Sequence, residues 1–90
     1  MDKRQKLEAI DKALRELEDV RNSQTSLLKK ITQLETENIN VGINILDDDL
    51  GTLHEHTDSQ LGRINELTEK LQEYRNDFEE KNKAYITEEV

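Results

Sequence analysis

The sequence predicts an all-α fold: two long amphipathic helices forming an antiparallel helical hairpin, or coiled coil, that assembles into a four-helix bundle. Three observations predict it. The 90 residues include no proline and only three glycines, so little in the chain forbids long helices. Apolar residues recur at alternating spacings of three and four, which keeps a stripe on one helix face. The stripe changes phase once, across residues 38–51, which read NINVGINILDDDLG. The competing arrangement is one long bent helix in a parallel coiled coil, its partner swapping faces at residues 38–46. The chain reads as a single coiled-coil domain over 1–90, with helix one about 3–46, a turn about 47–51 and helix two about 52–87.

The first helix starts from a polar, basic segment in which Asp2 is a candidate N-cap. From Ile10 a heptad frame runs without a break. Its a positions are Ile10, Leu17, Gln24, Ile31, Asn38 and Ile45, and its d positions are Ala13, Val20, Leu27, Leu34 and Val41. Leu7, Leu14 and Leu28 lie at e and widen the stripe, which suits a bundle of more than two helices. Gln24 and Asn38 interrupt the stripe with polar groups, and such residues fix register at a cost in stability.

At residues 39–46 apolar and polar residues alternate. That is a strand signal, but a strand here lacks an obvious partner. On a helix, Val41 and Ile45 continue the first stripe while Ile39, Ile43 and Leu46 begin a second, and the helical reading is preferred. The triplet Asp47-Asp48-Asp49 followed by Leu50-Gly51-Thr52 is the strongest turn signal: adjacent carboxylates suit a helix N-terminus, and Gly tolerates positive φ.

The second helix carries its own frame to the end of the chain. Its a positions are Ile43, Leu50, Thr57, Ile64, Leu71, Phe78 and Tyr85; its d positions are Leu46, Leu53, Gln60, Leu67, Tyr74 and Lys81. Leu61 widens the stripe at e. Residues 54–60 (HEHTDSQ) have weak core character, and Thr57, Asp58 or Ser59 could cap a restarted helix after a kink. Thr87 to Val90 are expected to fray.

Facing residues of an antiparallel hairpin have numbers with a constant sum. A turn centred on Asp49 sets that sum at 98. It pairs Asn38 with Gln60, Leu34 with Ile64, Ile31 with Leu67, Leu27 with Leu71 and Val20 with Phe78, so every first-stripe residue meets a second-stripe residue. Leu14, Leu28 and Leu61 then flank the seam, and Ile39, Ile43, Leu46 and Leu50 remain near the tip. Apolar rows left open on a helical surface are sites for further helices, which makes self-association or a hetero-oligomeric bundle the expected state.

Composition excludes several function classes. Residues 1–30 carry eight Lys/Arg against six Asp/Glu, and residues 31–90 carry five against fifteen, for a net charge of −8. Phosphate repels such a chain, and with one Phe, two Tyr and no Trp it has few stacking residues, so nucleic-acid binding is not expected. No apolar run approaches the roughly 20 residues of a membrane span, and no signal-peptide pattern opens the chain, so no membrane insertion and an intracellular, cytoplasmic location are expected. Cysteine is absent, which excludes disulfides and thiolate metal sites.

Chemistry finds little support. His54 and His56 point to different faces of a helix, whereas zinc-binding pairs favour i, i+4. His54 and Asp58 share a face but supply two ligands only. Reading Asp47 and Asp49 as the start of a calcium loop puts Thr52 where Gly belongs and Asp58 where Glu belongs. No phosphate loop and no activated nucleophile is recognisable. A non-enzymatic role without cofactor is expected: a coiled-coil interaction module, scaffold or subunit of a helical assembly that binds protein helices, its own or another chain's. Two alternatives are a small acidic inhibitor or decoy occupying a basic protein surface, and a chaperone-like hairpin covering a partner helix.

Overall fold

The computed structural model describes residues 1–88. Two long helices, α1 (Lys3–Val41) and α2 (Asn44–Lys81), pack antiparallel, and a short α3 (Lys83–Glu88) extends α2 beyond a break at Asn82. No strand occurs among the described residues, so 39–46 is helix, turn and helix rather than β. The Cα envelope measures 65 × 17 × 17 Å. A continuous helix of this chain length at about 1.5 Å per residue would be roughly twice as long, which rules out the single long bent helix.

The start of α1 follows the sequence signal. Asp2 is extended, and its carboxylate accepts the Gln5 backbone N–H at 2.7 Å while the Gln5 side chain accepts the Asp2 N–H at 3.1 Å. This reciprocal pair satisfies two donors that the first turn would otherwise leave open.

The turn lies at Gly42–Ile43, not at 47–51, so helix one ends at Val41 rather than 46 and helix two begins at Asn44 rather than 52. Gly42 adopts φ 72°, ψ 36°, the left-handed conformation that ends helices at least cost in a residue without Cβ, and its N–H bonds the Asn38 carbonyl at 2.7 Å. Gly51 is helical, with φ not positive. The aspartate triplet sits inside the first two turns of α2, still near the positive end of its dipole. Carboxylates suit a helix N-terminus, but here they follow the helix start instead of preceding it.

The register moves with the turn. Cross-helix pairs join Asp11 to Arg75, Gln24 to Thr57, Glu35 to His54 and Asn38 to Asp47, with number sums of 86, 81, 89 and 85. These replace the sum of 98, so Asn38–Gln60, Leu34–Ile64, Ile31–Leu67, Leu27–Leu71 and Val20–Phe78 do not face one another. A shift of two heptads, from 98 to 84, leaves stripe still facing stripe, so periodicity permits either register and only the turn decides between them. The helix restart considered at residues 54–60 does not occur, because α2 runs unbroken through them. At the far end the Asn82 side-chain amide donates to the Phe78 carbonyl at 2.9 Å where α2 stops. The fraying expected of Thr87 to Val90 falls partly on residues 89 and 90, outside those described.

Candidate interaction face

The hairpin closes along its a and e positions. In α1, Leu7, Ile10, Ile31 and Asn38 are buried, and Leu14, Leu17, Gln24 and Leu28 are half-buried between them. In α2, Leu50 and Thr57 are buried, with Leu61, Ile64, Leu71 and Phe78 half-buried. The a/d seam of the sequence reading is therefore corrected: e residues, expected on the flank, enter the seam, and d residues other than the half-buried Ala13 stay outside it. Of the d residues, Val20, Leu27, Leu34, Leu53, Leu67 and Tyr74 are each between 48% and 53% exposed.

Both d rows lie on the same side of the hairpin. Two antiparallel helices that meet through the same heptad positions are related by a two-fold axis perpendicular to the plane of their axes. That axis carries a position on one helix to the same side on the other. The reverse side bears this out: Leu14, Arg15, Glu18 and Arg21 of α1 line one shallow groove of about 300 Å³ with Thr68 and Gln72 of α2. Those are e and b positions of both helices, with one f position of α1. The hairpin thus has one apolar d side and one polar b side.

The polar side carries the cross-helix ties. The Arg75 guanidinium donates to Asp11 at 2.8 Å and to Glu79 at 3.1 Å. The hydrogen bond to Asp11 raises its pKa above the ordinary arginine value, against the opposing effect of partial burial. His54 Nδ1 lies 2.7 Å from the Glu35 carboxylate, so this imidazole faces across the hairpin rather than toward His56 or Asp58. Among the described residues no cluster of three or more metal-ligating side chains forms.

At the turn, Asn38 uses both ends of its amide. Its Oδ1 accepts the Ile43 N–H at 3.0 Å, and its Nδ2 donates to the Ile43 carbonyl at 3.0 Å and to Asp47 at 2.7 Å. Ile43 cannot cap α2 with its own side chain. Asn38 accepts from it across the turn, and this explains a polar group that is only 3% exposed. Gln60, expected to face Asn38, is instead exposed on the d side. Ile39, Val41, Ile43, Ile45 and Leu46 surround the turn as an exposed apolar tip. At the open end Lys3 sits 4.0 Å from the Tyr85 ring centroid, and Lys6 lies 5.1 Å from that of Phe78. Both cations cover aromatic faces there.

The structure thus divides the sequence-derived interface residues into three groups. Ile10, Leu14, Leu17, Leu28, Ile31, Asn38, Leu50, Leu61, Ile64, Leu71 and Phe78 serve the hairpin's own seam. Leu27, Leu34, Leu53, Gln60 and Leu67 lie on the open d side, and Ile39, Ile43 and Leu46 lie at the tip. Val20 and Tyr74 belong to the open face as well. Their d positions were visible in the sequence, but a seam drawn through a and d hides them.

The molecule is a two-helix antiparallel hairpin with one unsatisfied apolar side. No protein-family model, curated protein or solved structure matches the chain. No helix among the described residues is long and apolar enough to cross a membrane.

Proposed function

We propose that the chain is a non-catalytic helical interaction module, a scaffold or subunit that takes up protein helices on its d side. One observation carries this reading: two rows of large apolar residues, from Val20 to Leu34 and from Leu53 to Tyr74, lie half-exposed on the same side of a hairpin whose reverse is polar. A monomeric surface normally scatters such residues, whereas a contiguous apolar strip marks a contact site. Helices that pack through a, d and e together are those of bundles. Replacing Leu27 and Leu67 by Glu is expected to abolish association through this side while helicity, read by circular dichroism, persists.

A second reading, the acidic decoy, draws on the outward side of α2. Asp48, Glu55, Asp58, Glu66, Glu69, Glu73 and Glu80 are all exposed there, on b, c and f positions. Such a strip favours a basic protein surface, by an attraction that weakens with salt. Binding to a basic protein that survives the Leu27→Glu and Leu67→Glu pair and fails at high salt would select this reading instead.

A further inference from the structure

Resting on the interaction-module reading, we propose that the occupant of the d side is a second copy of the chain, docked antiparallel with the two turns at opposite ends. The face is complementary to itself in that orientation. Laying α1 on the partner's α1 at a number sum of 47 sets Val20 against the partner's Leu27 and Ala13 against the partner's Leu34. The position of α2 is then set to within a few residues. The four cross-helix pairs, with a mean sum of about 85, set α2 against the partner's α2 at a sum of about 123, and of the two nearest apolar registers, 120 and 127, only 120 keeps Gln60 off the partner's Leu67. At a sum of 120 Leu53 meets the partner's Leu67 and Leu46 meets the partner's Tyr74. One rigid docking therefore serves the apolar rows of both helices.

The flanking charges select the same arrangement. In antiparallel helix pairs the g positions of the two chains meet. Here Glu16 comes opposite the partner's Lys30, and Asp49 opposite the partner's Lys70, each within one residue of the apolar register, while Arg63 comes opposite the partner's His56; two kinds of opposite-charge pair form and no like-charge carboxylate pair. With both turns at the same end, α1 would lie on the partner's α2. Glu37 would then come opposite the partner's Asp49, a like-charge pair, and Lys30 opposite the partner's His56, with one attractive pair, Glu16 and the partner's Lys70. The rim as a whole is close to neutral, because the acidic excess sits on the outward side of α2, so two copies approach without strong repulsion.

This docking also gives Gln60 a role. A sum of 120 places it on the dyad, against the partner's Gln60. A side-chain amide both donates and accepts, so two of them across a two-fold axis satisfy each other. A polar group among apolar d residues penalises any slipped register. The area suffices: one 65 × 17 Å side spans about 1,100 Å², against the roughly 800 Å² per partner of a standard stable interface.

Sedimentation equilibrium and spin-label distances test the proposal together. The chain has no cysteine, so Asn40→Cys, exposed beside the turn, labels one site per copy. The expected mass is twice 10.5 kDa. The expected label separation is about 50 Å, because Asn40 lies some 16 residues from the dyad at about 1.5 Å each. The pair Leu27→Glu with Leu67→Glu should raise the dimer dissociation constant about 100-fold or more by burying unpaired charge, whereas Ser26→Glu on the outer side should leave it unchanged. A chain that stays monomeric at millimolar concentration overturns the second copy as occupant and leaves the interaction-module reading standing. A dimer with labels closer than about 30 Å overturns the opposed orientation. A dimer indifferent to the Leu27/Leu67 pair overturns both the proposal and the reading beneath it.

Discussion

Asn38 and Asp47 clasp the two helices across the turn, the amide of one donating to the carboxylate of the other at 2.7 Å. The same amide holds the backbone of Ile43 in both directions. A polar residue at a heptad a position thus serves the chain reversal rather than a partner helix.

Asn38→Ala removes these bonds and leaves the Ile43 N–H without its acceptor. The expected loss is about 2–4 kcal/mol, read from urea unfolding of dilute protein. Gln60→Ala, at the exposed polar heptad position, is expected to change stability by less than about 0.5 kcal/mol under the same dilute conditions.

The glycines should respond with opposite sign. Gly42 has φ 72°, so Gly42→Ala is strained even though nothing lies within 4 Å of the new Cβ; the expected cost is about 1 kcal/mol. Gly51 and Gly62 are helical and equally uncrowded. Gly51→Ala and Gly62→Ala are each expected to stabilise by about 0.5–1 kcal/mol. Melting temperatures of the three variants check the turn position directly, since a turn at 47–51 would reverse the order of Gly42 and Gly51.

Ile31 and Leu27 lie one turn apart but face different surroundings, 4% against 48% exposed. In dilute solution Ile31→Ala is expected to cost about 3 kcal/mol and Leu27→Ala about 1 kcal/mol. Under the proposed pairing with a second copy, raising the protein concentration should enlarge the Leu27 effect as its face becomes covered, while the Ile31 effect stays constant. Chemical denaturation at two concentrations separates the two.

The Asp11–Arg75 pair is partly exposed, so Asp11→Asn is expected to cost only about 0.5–1 kcal/mol. A raised arginine pKa means that the charge-dependent stability is fully present below the ordinary arginine value and is lost only as pH rises beyond it. Salt is therefore the informative variable: the difference between wild type and Asp11→Asn should shrink at about 1 M salt.

Helix content was legible in the sequence because long heptad frames without proline leave few alternatives. The Asp2 cap was legible because a capping side chain acts within three residues of itself. The turn was misplaced, since three adjacent aspartates signal a helix N-terminus as strongly as they signal a turn, and the decisive feature was a single glycine with an asparagine four residues before it. The register followed the turn into error, because a seven-residue repeat is unchanged by a shift of fourteen in the sum. The open face was obscured for a related reason. Leu7, Leu14, Leu28 and Leu61 compete with the d row for the seam, and only the packed hairpin shows that e prevails.

That same indifference to whole heptads makes the hairpin a graduated ruler. Seven residues added to each arm at facing sites would lengthen it by about 10 Å and return every side chain to within about 20° of its former bearing. The clasp at Asn38, the Asp2 cap and the chemistry of the sides would be untouched. Span is thus a quantity this architecture can change in fixed steps, by duplication or deletion, while what stands at each end is kept.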